Sequence, residues 1–153
     1  MVDASITGRE IATITFPVDR SKLAELARAF GDGDPAWHDP DAAAAAGFDA
    51  VPTPPTVTVL ADHWRSGGVA GLVEAIGADL ARVLHGEAEW EYRKPVRMGD
   101  ILTSRQRVSN VTQRQGRRGG TMTLIAIETE FTNQRGELAV RRTDTLIERE
   151  ISG

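Results

Sequence analysis

The sequence predicts an α+β fold, and three observations carry the prediction. Residues 87–93 alternate, with Ala88, Trp90 and Tyr92 set between Glu87, Glu89, Glu91 and Arg93, the period-two pattern of a half-buried strand. Residues 22–30 repeat at helical spacing instead, with Leu23, Leu26, Ala27 and Phe30 on one face and Lys22, Glu25 and Arg28 on the other. Third, helix-like segments stand between one early strand and a run of strands filling the C-terminal half, which is the element order of an α+β domain. At 153 residues the chain has room for one core, so residues 1–153 are read as a single domain.

Taken in order, residues 9–18 form the first strand, with Ala12, Ile14, Phe16 and Val18 on one face and Thr13 and Thr15 on the other. The helix over 19–30 follows, capped by Asp19 or Ser21 and stopped by Gly31. A second, short helix covers 41–47, opened by an aspartate and closed by a glycine. Residues 51–56 are proline-rich and extended. The stretch 56–64 alternates like a strand at first, yet Val57, Leu60, Ala61 and Trp64 also make a helical stripe. A glycine-rich linker is expected over 66–71 and a further helix over 69–80. Strands are expected over 87–93, 101–115, 121–132 and 137–150, with hairpin turns at 116–120 and 133–136.

Composition narrows the function. The chain is 41% hydrophobic and 26% charged, as a soluble globular domain is, and its net charge of −4 argues against nucleic-acid binding. With no cysteine, disulfides, thiolate nucleophiles and cysteine-based metal sites are excluded. No stretch approaches the ~20 apolar residues of a membrane span, and the N-terminus lacks the pattern of a signal peptide, so a cytoplasmic location is expected.

The stretch 30–41 holds the chemistry. It carries Asp32, Asp34, His38, Asp39 and Asp41 among two glycines and two prolines, which prevent a continuing helix. A carboxylate that orients a water and an imidazole that titrates near neutrality are the two partners proton transfer needs. A turn whose aspartates cap neighbouring helices uses the same residues. As a metal set, the spacing matches no calcium-loop pattern, and no metal is expected.

Gly31-Asp32-Gly33-Asp34-Pro35 followed by His38-Asp39, Gly47-Phe48 and Pro52-Thr53-Pro54-Pro55-Thr56 resembles the MaoC-like family, more narrowly its FAS1-like or MaoC N-terminal dehydratase domains. Leu84-His85-Gly86-Glu87, Arg93-Lys94-Pro95-Val96, Gly99-Asp100-Ile101-Leu102 and Arg118-Gly119-Gly120-Thr121-Met122 extend the resemblance over nearly the whole chain. It implies a hot-dog fold, an antiparallel sheet wrapped around a central helix, here over 56–64. It implies pairing of two such domains edge to edge, which the exposed edge of a lone sheet also favours.

The activity implied is hydration or dehydration of an acyl thioester carried on coenzyme A or on the phosphopantetheine of a carrier protein, with no other cofactor. Asp32 and His38 are the implied catalytic pair. The helix start at Pro55, Thr56 and Val57 would offer N–H groups to the thioester carbonyl. Trp37, Trp64 and His85 complete the expected substrate-binding set, the tryptophans being equally suited to core or interface packing and His85 to a strand-edge contact with a carboxylate.

The chain departs from the family pattern in three places. Asp34 replaces an asparagine, Trp37 stands where the histidine is expected, and Pro55-Thr56 replaces His-Gly. In these respects it resembles the non-catalytic half of related heterodimers. The expected partner is therefore a second MaoC-like subunit, identical or different, and an acyl carrier protein is a further candidate. Arg105, Arg107, Arg114, Arg117 and Arg118 are basic enough to meet phosphates or an acidic carrier, or to form a solvated hairpin. Besides the hydratase, a non-catalytic acyl-binding subunit and a hot-dog thioesterase are the alternatives.

Overall fold

Five antiparallel strands form one sheet, with helical segments laid across its inner face, in a computed structural model that describes residues 1–116 and 119–150. The strands are β1 (Glu10–Pro17), β2 (Val83–Tyr92), β3 (Ile101–Gln115), β4 (Thr121–Thr132) and β5 (Leu138–Arg149), in the spatial order β1-β3-β4-β5-β2. Both edges are therefore early strands, and the hairpins β3–β4 and β4–β5 form the middle. Arg117 and Arg118 of the first hairpin lie outside the described residues.

Helix α1 (Arg20–Phe30) is capped by the Asp19 carboxylate, which accepts from the Lys22 N–H at 2.9 Å, and it ends on Gly31 at φ +71°. Helix α2 (Pro40–Ala45) starts one residue earlier than the sequence suggests. Its cap is Asp39 rather than Asp41, because Pro40 suits a first helical position where no N–H is needed.

The central helix expected over 56–64 comes in two pieces. Residues Pro55–Val59 make a 3₁₀ turn, and α3 (Leu60–Trp64) continues it for five residues. Two prolines and a run of β-branched residues disfavour a regular α-helical start. Gly67 at φ +74° then breaks the line, and α4 (Gly68–Ala75) begins one residue before the helix expected from Val69. The helix predicted to end near Leu80 stops at Ala75, and Leu80–Arg82 is a separate 3₁₀ turn. This is the hot-dog arrangement, with the central segment held on the sheet by Trp90 donating to Thr58 Oγ1 at 3.1 Å and Arg142 donating to Asp62 at 3.1 Å.

Two apolar clusters fill the layer beneath the sheet. One joins Phe16, Leu102, Phe131 and Val140 to Leu23, Val57, Leu60 and Ala61, with Phe16 and Phe131 meeting edge to face. The other joins Val108, Ile125, Ile127 and Leu146 to Ile6 and Ile76. Between them lies a buried polar row of register neighbours, Gln106, Thr129 and Arg142. At the far end the Glu148 carboxylate, wholly buried, accepts from the Val2 and Asp79 N–H groups at 2.7 and 3.1 Å and from Arg82 at 3.1 Å. No helix among the described residues is long and apolar enough to cross a membrane.

Candidate active site

The acidic loop after α1 is built by its own aspartates. Asp32 Oδ1 accepts the Asp34 N–H at 3.0 Å, and Asp34 Oδ1 accepts the Ala36 N–H at 2.9 Å, opening the 3₁₀ turn Pro35–Trp37. Asp39 Oδ1 accepts from Asp41 N and caps α2. Trp37, held at the end of that turn, donates its indole N–H to Asp32 Oδ2 at 2.7 Å. The loop thus brings Asp32 to Trp37. His38 caps the turn through its backbone N–H, and its Nδ1 is buried without a hydrogen-bond partner among the described residues. An indole, unlike an imidazole, has no proton to exchange near neutral pH. The residues predicted to form a proton-transfer pair therefore share one loop while the bond to Asp32 comes from its third member.

A cleft lies elsewhere among the described residues, between two segments that meet across about forty residues of chain. It encloses about 570 Å³. Phe48, Ala50 and Pro52 to Pro55 form one wall, Tyr92 to Arg97 the other, and Val57 and Val140 the floor. The walls are joined by a bridge between Pro52 and Arg97, by Thr53 Oγ1 donating to the Val96 carbonyl at 3.0 Å, and by Tyr92 donating to the Pro55 carbonyl at 3.0 Å. The prolines fix their own φ and supply no N–H, so this wall is stiff and largely apolar. Arg93, Lys94 and Arg97 stand on the rim, where Arg97 pairs with Asp49 and Arg93 with Glu91. Burial pushes the Tyr92 phenol up from its ordinary value.

The predicted substrate-binding residues divide between these places. Pro55 and Val57 line the cleft, and the Val57 N–H is taken by the Pro54 carbonyl at 2.9 Å. Thr56 is exposed beside them. Trp64 is half exposed at the end of α3, away from the cleft walls. His85 lies on edge strand β2, where its Nε2 is 3.2 Å from Asp144 Oδ1, and Asp144 is held in turn by Arg142. Phe48, Tyr92 and Arg97 escaped the sequence reading of the site. Their signal was present, because Gly47-Phe48, the proline-rich stretch and Arg93-Lys94-Pro95-Val96 are among the motifs that carry the resemblance. Of the basic residues, Arg107 is spent on Glu128. Among the described residues no three acidic or histidine side chains converge as a metal set.

Known proteins similar to this chain in sequence and shape point one way. A family model described as "FAS1-like, dehydratase domain region" matches residues 5–142. A UPF0336 protein of Streptomyces avermitilis is 32% identical over 149 residues, covering 97% of this chain and 95% of that one. The C-terminally truncated HadBC (3R-hydroxyacyl-ACP dehydratase) complex of Mycobacterium tuberculosis contains a chain that superposes with a TM-score of 0.71 at 27% identity, over 93% of this chain and 96% of its own length. A MaoC-like dehydratase matches 94% of this chain with 42% of its own length, at a TM-score of 0.73 and 25% identity. The chain belongs to the FAS1-like dehydratase domain family, the MaoC-like group that its loop and cleft motifs resemble.

Proposed function

We propose that this chain is one subunit of a dimeric hydratase/dehydratase acting on acyl thioesters, and that its cleft receives the substrate. The observation that carries the reading is the cleft itself: stiff apolar walls for a hydrocarbon chain, and a basic rim where the phosphates of coenzyme A or of a phosphopantetheine carrier would lie. The HadBC complex, a 3R-hydroxyacyl-ACP dehydratase of more than one kind of subunit, supports both the reaction class and the assembly. Dehydration needs a base for the proton beside the thioester carbonyl and an acid for the departing hydroxyl.

A second reading, favoured by one observation, divides that labour between subunits. Asp32 meets the Trp37 indole, a group that cannot carry the proton, so this subunit holds the acyl group while its partner supplies acid and base. The test is the hydration of enoyl thioesters by the chain alone and by the chain co-purified with a second MaoC-like subunit. Turnover by the chain alone supports a self-sufficient enzyme, and turnover only by the pair supports divided labour. Release of free thiol in either preparation, without hydration, would replace both with a thioesterase.

A further inference from the structure

Edge strand β2 has one neighbour, β5, and its other side is unpaired among the described residues. Its two faces differ sharply. Trp90 reaches Thr58 on the helical side, so Ala88 and Trp90 face inward and Glu87, Glu89 and Glu91 face out. Glu91 is neutralised by Arg93 and by Arg141 at 3.2 Å. Glu87 and Glu89 have no ion pair among the described residues, and the side chains beside them on β5 are the uncharged Thr145 and Thr143. Leu84, 53% exposed, extends the outer stripe with apolar surface, while Tyr92 lies on the face of Ala88 and Trp90 and opens into the cleft. The strand also runs straight into Tyr92 and Arg93 of the cleft, so whatever pairs with it stands beside the cleft.

A second copy of this chain fits that edge poorly. In a two-fold antiparallel pair, residues equally distant from the centre face each other on the same side of the sheet. Centred on Glu89, the pairing sets Glu89 against Glu89 and Glu87 against Glu91. Centred on Ala88, it sets Glu87 against Glu89, and every other centre from 87 to 91 likewise opposes glutamates. Like charges directly opposite on paired strands are destabilising, whereas opposite charges attract.

We infer that β2 selects its partner by charge: the strand that extends this sheet belongs to a different hot-dog subunit with lysine or arginine on its outer face, and the Glu87–Glu89 stripe disfavours self-pairing. The inference rests on the dimeric reading above and adds which partner is taken.

The stripe can be tested with this chain alone. Wild type and the double variant Glu87→Lys/Glu89→Lys, both exposed positions, are sedimented separately and mixed, with circular dichroism confirming the fold. Each alone should run as a monomer at micromolar concentration. The mixture should form a one-to-one dimer roughly ten- to a hundredfold tighter at low salt, and the advantage should shrink as salt screens the pairs. The neutral variant Glu87→Gln/Glu89→Gln should self-associate more tightly than wild type. Wild type that dimerises as tightly as the mixture, with no salt dependence, overturns charge selection and leaves the dimeric reading standing. A mixture that does not associate also overturns it, and the co-purification assay then judges the dimeric reading separately.

Discussion

If the cleft holds the acyl chain, its volume sets the length of chain that can be bound. At about 30 Å³ for each small group, a water's share of liquid volume, the cleft's 570 Å³ holds roughly nineteen heavy atoms. Ala50 is half-buried on the wall, and Ala50→Phe adds the six carbons of a ring, about a third of that capacity. Each methylene kept out of an apolar site forfeits about 0.8 kcal/mol, close to fourfold in kcat/KM. The assay is kcat/KM for a series of enoyl thioesters of increasing length, using the assembled dimer. The wild-type profile should rise and then level off. The variant should level off about six carbons earlier, with short substrates unaffected and the melting temperature unchanged. Identical profiles for the two proteins would mean that the acyl chain lies somewhere other than this cleft.

Three further outcomes are expected. His38→Ala in the assembled dimer should leave turnover within about threefold of wild type, because nothing aligns its imidazole with Asp32; a fall of ~10²–10⁴ would mark it as a proton-transfer group. Asp32→Asn places an amide where Asp32 accepts from both the Trp37 indole and the Asp34 N–H, so it should lower stability by about 1 kcal/mol and leave turnover nearly unchanged, measured by urea unfolding beside the rate; a rate loss without a stability loss would return Asp32 to the chemistry. Glu148→Ala leaves two backbone N–H groups and Arg82 without their buried acceptor, and it should cost about 3–5 kcal/mol in chemical denaturation; a cost under about 1 kcal/mol would show that water replaces the carboxylate.

The sheet was legible because its strands alternate over long stretches. The spans 101–115 and 121–132 are recovered as β3 and β4, and the predicted 137–150 as Leu138–Arg149. Helix α1 was legible because its cap, stripe and terminal glycine agree. The central segment was harder, since β-branched residues after two prolines suit a strand and a tight helical turn alike. The loop's acids were found, but their partners were not. Whether Trp37 or His38 meets Asp32 depends on a single turn of 3₁₀ geometry that no local pattern encodes. The cleft was hidden for a different reason. Its walls lie forty residues apart and are joined by Pro52–Arg97 and Tyr92–Pro55 contacts that only the closed sheet creates.

The most direct test is made in heavy water. An enoyl thioester is incubated with this chain and its co-purified partner, and the product is examined by proton NMR and mass spectrometry. A hydratase adds the elements of D₂O across the double bond: one deuterium on the carbon beside the carbonyl, a hydroxyl on the next, and the thioester intact. That product, lost when the cleft is narrowed by Ala50→Phe for long substrates and retained for short ones, is the expected result. Free thiol with an unlabelled, still unsaturated acid, or an unchanged substrate in the presence of a folded dimer, would contradict it.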